Sequence, residues 1–386
     1  MPDAMDFLGI DALLDDEERL IRDTVRAFVR DRISPDIAQW FEEGTLPREI
    51  GRELGALGLL GMHLHGYECP GASAVAYGIA CMELEAGDAG VRSFASVQGS
   101  LAMFAIHRFG SEEQKNEWLP AMARGEKIGC FGLTEPDFGS NPAGMRTTAR
   151  RVGSDWAIDG TKMWITNGSF ADVAIVWANT DEGIAGFVVP TTTKGFSTNA
   201  IHRKLSLRAS VTSELILDNV RVPDSARLPG ARGLGGPLAC LNEARYGIIW
   251  GVMGAARSCY ATALEYAKSR VQFDRPIAGF QLTQEKLVNM LLELQKGSLL
   301  ALHLGWMKDA GKLHPTQVSF GKLNNVREAL TIAREARSIL GANGVTLEYP
   351  VIRHMNNLES VLTYEGTSEI HLLVLGQAIT GIPAFS

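Results

Sequence analysis

The chain has 386 residues, more than one ordinary hydrophobic core holds, so two or three packed regions are expected. Hydrophobic residues at 46% and charged residues at 21% fit a globular protein in water, and no apolar run approaches the ~18 residues of a membrane span, which excludes membrane insertion. A formal net charge of −7 argues against a nucleic-acid surface.

The acidic start, Met1-Pro2-Asp3-Ala4-Met5-Asp6, does not read as a secretory or mitochondrial presequence. Five scattered cysteines (Cys69, Cys81, Cys130, Cys240 and Cys259) lack Cys-x-x-Cys spacing, so neither a disulfide framework nor a zinc site is expected. His63 and His65 have no third ligand nearby, and no bound metal is expected. A cytoplasmic location fits these features.

Residues 1–127 read as helical. Asp15-Asp16-Glu17-Glu18 suits a helix start, and Leu20, Ile21, Val25, Phe28, Val29 and Ile33 form an apolar stripe that Ser34-Pro35 ends or bends. Ser111 and Gln114 make a capping box opening a helix through Trp118 and Leu119.

Residues 128–237 change texture. Trp156–Ile158 and Met163–Ile165 flank Asp159-Gly160, which predicts a two-residue hairpin. With the runs 173–177, 186–189 and 214–222 this predicts a small antiparallel β-domain.

Residues 238–386 return to helix, with stripes Leu282, Leu287, Met290, Leu291, Leu294, Leu299 and Val326, Leu330, Ile332, Ala333, Ala336, Leu340. Helices, then strands, then a bundle of about four helices make an α+β chain with segregated elements. No Gly-x-Gly-x-x-Gly follows a predicted strand, so a Rossmann unit is unsupported.

The richest stretch is Thr363-Tyr364-Glu365-Gly366-Thr367-Ser368-Glu369-Ile370. A carboxylate set on an apolar wall loses solvation, its pKa rises, and it becomes suited to removing a carbon-bound proton. By itself Glu365 also fits a helix N-terminal acid that complements the dipole.

Together with Cys130-Phe131-Gly132-Leu133-Thr134-Glu135-Pro136, Gly139-Ser140, Trp164-Ile165-Thr166-Asn167, Arg270-Val271-Gln272-Phe273 and Leu340-Gly341-Ala342-Asn343-Gly344, this stretch resembles the acyl-CoA dehydrogenase family, in the family's order and spacing. Within it, Arg92-Ser93, Ser96-Val97-Gln98, Leu241 to Ile248 and Ala378 to Phe385 look like the glutaryl-CoA dehydrogenase branch.

The resemblance implies an N-terminal helical domain, a middle β-domain and a C-terminal helical bundle with FAD between the last two. It implies Glu365 as base and flavin N5 as hydride acceptor. Phe131, Leu133, Thr134, Gly139, Ser140, Trp164, Ile165, Thr166, Thr367 and Glu369 would contact the flavin. Arg270, Gln272, Phe273, Gln281, Ser338, Leu340, Gly341 and Phe385 match further cofactor positions. The adenosine contacts among them would serve a neighbouring subunit's flavin in a homotetramer. Ser140, Leu241, Asn242, Arg245, Tyr364 and Gly366 would line the thioester channel. Glu85, Arg92, Ser93, Ser96 and Val97 would meet a terminal carboxylate, because a buried guanidinium needs an anion.

Spacing alone leaves open that Arg92 merely pairs with Glu85, two helical turns away. The implied reaction is oxidative decarboxylation of glutaryl-CoA to crotonyl-CoA, with an electron-transferring flavoprotein taking the electrons. The alternatives are a non-decarboxylating dehydrogenase for another dicarboxylyl or branched acyl-CoA, an oxidase using oxygen directly, and a silent acyl-CoA-binding protein.

Overall fold

The computed structural model describes residues 3–384, so Phe385 lies outside the described residues. Helix α1 (Asp16–Phe28) begins on a reciprocal capping box: Asp15 Oδ1 accepts from Glu18 N at 2.8 Å, and Glu18 Oε2 accepts from Asp15 N at 2.9 Å. Val25, Val29 and Ile33 turn into the core, but Leu20 is exposed. Five residues of helical rotation carry Leu20 well off the face of Val25. The helix widens into a π-turn over Val29–Ile33, and at Ser34-Pro35 the chain turns into α2 (Ile37–Glu43), as expected.

After α3 (Ile50–Ala56) and a two-strand ladder, β1 (His65–Gly66) with β2 (Cys69–Pro70), come the helices that matter for the site: α4 (Ala74–Gly87) and α5 (Ala89–Ser96). Asp88 joins them, capping α5 through Gly90 N at 2.6 Å while its other oxygen receives Arg353 and Asn357. A second π-turn (Val97–Met103), α6 (Phe104–Phe109) and α7 (Glu112–Ala123) follow, and α7 starts on the expected Ser111–Gln114 capping box.

The middle region is one sheet of seven strands: β3 (Gly129–Gly132), β4 (Thr148–Val152), β5 (Asp155–Thr166), β6 (Val173–Thr180), β7 (Gly183–Pro190), β8 (Phe196–Ala200) and β9 (Thr212–Pro223). The order is β3-β6-β4-β5-β9-β8, with β7 also on β6. It is mixed rather than purely antiparallel, since β6 runs parallel to β3 and β4.

The hairpin expected at Asp159-Gly160 is absent; β5 runs straight through. Gly160 sits instead at a register shift against β9, where a Cβ would lie 2.4 Å from Thr147 Oγ1. This glycine answers a close approach within the sheet, not a turn. A second shift, between Lys162 and Ile165, puts Trp164 at φ 64° and swings its ring outward.

The last region holds α8 (Gly235–Ser269), the ladder β10 (Val271–Gln272) and β11 (Arg275–Pro276), α9 (Gln281–Asp309), α10 (Pro315–Leu340), α11 (Val351–Thr363) and α12 (Ser368–Thr380). The α10 stripe from Val326 to Leu340 is buried as expected, whereas Leu282 at the start of α9 is exposed. Helix α8 meets α4 along a seam of small residues: a Cβ on Gly254 would lie 1.8 Å from Met82 O. No helix among the described residues is long and apolar enough to cross a membrane.

Candidate active site

Glu365 occupies the turn between α11 and α12, with φ +53°. Its Oε2 is shut from solvent and has no hydrogen-bond partner. Burial lifts the carboxyl above the usual carboxylate range, and the positive charges of Arg92, Lys322 and Arg245 oppose that rise. The expected direction of the shift therefore holds. Arg245, from α8, donates Nε to Glu365 O at 2.6 Å. A Cβ on Gly366 would stand 2.9 Å from His371 Nε2 and 3.2 Å from Arg245 Nη2, so this residue must lack a side chain. Thr367 caps α12, its hydroxyl accepting from Ile370 N at 3.3 Å, and Glu369 is exposed in the first turn.

Arg92, on α5, is 1% exposed and Glu85, on α4, 0%. Arg92 Nε donates to Glu85 Oε2 at 2.6 Å and Nη2 to Tyr364 Oη at 2.5 Å. The pairing that spacing left open is thus present, but it leaves groups over. Arg92 Nη1 makes no hydrogen bond to the described residues, and Glu85 Oε1 and Ser96 Oγ are buried without partners. Burial raises the Glu85 carboxyl despite the guanidinium, and pushes the Tyr364 phenol up to about 12. Ser93 and Val97 are buried on the same stretch. Gly251 of α8 makes the room, since a Cβ there would fall 2.2 Å from Glu85 Oε2. Leu241 and Asn242 lie one turn before Arg245 on α8, half-buried, and Asn242 Oδ1 has no partner.

The sheet supplies a second set. Phe131, Leu133 and Ile165 are core residues, so only their backbones or ring edges are available to a ligand. Thr134 O accepts from Met163 N at 2.8 Å, tying the loop after β3 to β5. Gly139 and Ser140 are exposed on that loop, Thr166 is half-buried, and Trp164 is 59% exposed on its bulge. A large ring held off a sheet in a left-handed conformation leaves an exposed flat face.

The third set stands apart. Arg270 ends α8, Gln272 and Phe273 form the β10–β11 hairpin, and Gln281 opens α9. Phe273 is 90% exposed. Ser338 accepts from Lys286 Nζ at 2.7 Å, Leu340 is buried, and Gly341 ends α10 at φ 59°. Among the described residues no hydrogen bond joins this set to the Glu365 turn.

Several contributors escaped notice in the sequence. Lys322 and His371 are buried beside the Glu365 turn. Lys322 lies on the apolar stripe of α10, four residues before Val326, and a lysine at such a position was the available signal. Glu135, quoted only as part of a motif, pairs with buried Lys162 at 2.8 Å and accepts Arg146 N at 2.6 Å and Thr147 N at 2.9 Å. It anchors the loop that carries Gly139 and Ser140.

Models of the acyl-CoA dehydrogenase N-terminal, middle and C-terminal domains match residues 15–126, 130–220 and 231–380. The mitochondrial short-chain specific acyl-CoA dehydrogenase of Bos taurus is 36% identical over 370 residues, which cover 94% of this chain and 90% of that one. A crystal structure of glutaryl-CoA dehydrogenase from Mycobacterium smegmatis is 70% identical, with TM-score 0.99 and 100% of both chains covered. A second from that organism, in complex with FADH2, is 65% identical with the same TM-score and coverage. With all three domains matched in order along nearly its whole length, this chain belongs to the acyl-CoA dehydrogenase family and is an FAD-dependent enzyme of acyl-CoA dehydrogenation.

Proposed function

We propose that the enzyme oxidises and decarboxylates glutaryl-CoA to crotonyl-CoA and carbon dioxide. The observation that carries this is the buried Arg92, whose Nη1 and neighbouring Ser96 Oγ stay unpaired although Glu85 and Tyr364 are engaged. A lone structural ion pair would be expected to use its donors up. A distal carboxylate completes this one, and a monocarboxylic chain leaves it desolvated and unmatched. Ser93 and Val97 close the same end, while Leu241, Asn242, Arg245, Ser140 and Gly366 line the way to the thioester.

Glu365 takes the α-proton. Its backbone N–H, which has no partner among the described residues, is available to the thioester oxygen as that atom gains negative charge. When bound, a flavin would supply the two-electron acceptor for the β-hydrogen. Trp164 offers a face to its ring, Thr166 a hydroxyl, and the loop around Thr134, Gly139 and Ser140 open backbone. Phe131, Leu133 and Ile165 back these contacts from the core, and Thr367 and Glu369 follow the base.

In the oxidised five-carbon acid, carbon dioxide leaves and its bonding electrons pass through the new double bond into the thioester carbonyl. The proton on Glu365 is then available to the γ-carbon from which carbon dioxide departed, and crotonyl-CoA results.

The exposed set of Arg270, Gln272, Phe273 and Gln281, with Ser338, Leu340 and Gly341 behind it, suits the adenosine half of a neighbour's flavin in a homotetramer. Arg270 brings a permanent cation to the diphosphate and Phe273 a flat apolar face. An electron-transferring flavoprotein is the proposed acceptor. Anaerobic turnover of glutaryl-CoA with a dye acceptor and product mass analysis tests the whole proposal. Crotonyl-CoA with carbon dioxide is expected; glutaconyl-CoA, or no reaction, overturns it.

A further inference from the structure

Three successive carbonyl oxygens of the turn at Glu365 are held by two cationic side chains. Lys322 Nζ donates to Tyr364 O and, at 2.7 Å, to Gly366 O, and Arg245 Nε donates to Glu365 O between them at 2.6 Å. Lys322 comes from α10 and is 1% exposed. Withdrawing the ammonium from water is costly: burial pulls its pKa down to about 7, and the Glu365 carboxylate opposes that fall. A methionine would fill similar space without that cost, so the charge calls for an explanation beyond packing.

Both hydrogen-bond partners of the ammonium are backbone carbonyls, and what lies between them is Glu365. That residue is left-handed, a conformation disfavoured for an L-residue that persists where its surroundings over-determine it. The surroundings here are tight: His371 and Arg245 crowd the space a Gly366 side chain would need. His371 itself is neutral, held down to about 3 by burial, so it adds no competing charge. The Tyr364 carbonyl and the Glu365 N–H belong to one peptide group. A cation on its oxygen draws density away from its nitrogen and makes the N–H a stronger donor.

We infer that Lys322 is a positioning residue for the reaction: it fixes the left-handed turn at Glu365 and polarises the Tyr364–Glu365 peptide, whose open N–H holds the thioester oxygen as negative charge develops there. The inference rests on the proposed role of Glu365, and its effect falls on charged, enolate-like states rather than on neutral thioesters.

The test uses flavin-loaded protein with Glu365 intact, because its carboxylate opposes the burial-driven fall of the Lys322 pKa, and neither ligand chosen has a saturated Cα–Cβ bond to oxidise. Two ligands are titrated by the change in flavin absorbance: crotonyl-CoA, neutral at the thioester, and acetoacetyl-CoA, which binds as an enolate. Lys322→Met is expected to weaken the enolate about tenfold, a fraction of what loss of an oxyanion donor costs, and crotonyl-CoA by no more than about twofold. Lys322→Gln keeps N–H donors without the charge and is expected to show the same selective loss, so it carries the test should the methionine variant not fold. Equal losses for both ligands, or loss for neither, overturn the inference. Turnover surviving in Glu365→Gln alone would instead remove the base assignment, and the ligand titrations would still report on Lys322.

Discussion

Two buried ion pairs, one at the acyl end of the candidate pocket and one under the loop after β3, differ in how completely they are used. Glu135 accepts Lys162 and two loop amides, and Lys162 also donates to Leu133 O at 3.1 Å. Glu135 is held below the usual carboxylate range, because these hydrogen bonds outweigh the effect of its burial. Both of its oxygens are engaged. In the pair of Arg92 with Glu85, one carboxylate oxygen and one guanidinium nitrogen are left over, and burial keeps Glu85 raised. A pair that completes itself reads as scaffold, whereas a pair short of partners is the one the proposed function assigns to a ligand. Glu365, with its unpartnered Oε2, belongs with the second kind.

That contrast can be broken in several ways. The largest effect is expected from Glu365→Gln, which should lower turnover by about 10²–10⁴-fold while flavin content and ligand binding stay intact. Stopped-flow flavin reduction measures it, and unchanged reduction would take Glu365 out of the chemistry. Lys162→Met should cost about 3–5 kcal/mol of stability, because it leaves the Glu135 charge buried with only its two loop amides to compensate it. Denaturant unfolding reports the loss, and the ratio of glutaryl-CoA to butyryl-CoA activity should not change.

Arg92→Met should do the reverse, shifting that ratio by ~2–5 kcal/mol against glutaryl-CoA. Equal losses for both substrates would make Arg92 a scaffold residue like Lys162. The smallest effect is a displacement in pH. Glu365 acts ionised and its carboxyl is raised by burial, so kcat/KM should fall with decreasing pH along a limb lying above the ordinary carboxylate value of about 4.3. A limb at or below that value would mean that another group titrates.

The architecture was readable because apolar periodicity and caps are local signals: the Ser111 box and the Val326–Leu340 stripe appear where they were expected. Gly160 misled because a glycine after aspartate has the same letter whether it makes a turn or admits Thr147 across a sheet; only the pairing distinguishes them. The acid of the Glu365 turn and the cation of α5 stood out through the family resemblance, since alone they also fit a helix N-terminal acid and a partner for Glu85. The grip of Lys322 could not, since it depends on α10 meeting a turn more than forty residues downstream. Phe385 lies outside the described residues, and its part in cofactor binding is carried by the resemblance alone.

Where α8 crosses α4, at Gly251 and Gly254, backbone meets side chain and backbone with nothing interposed. A seam of that sort has no spare rotamer through which to dilate. Under the proposed function, a diacid one methylene too long or too short would lift one end off Arg92 or Glu365, and warming the protein is expected to relax that preference very little.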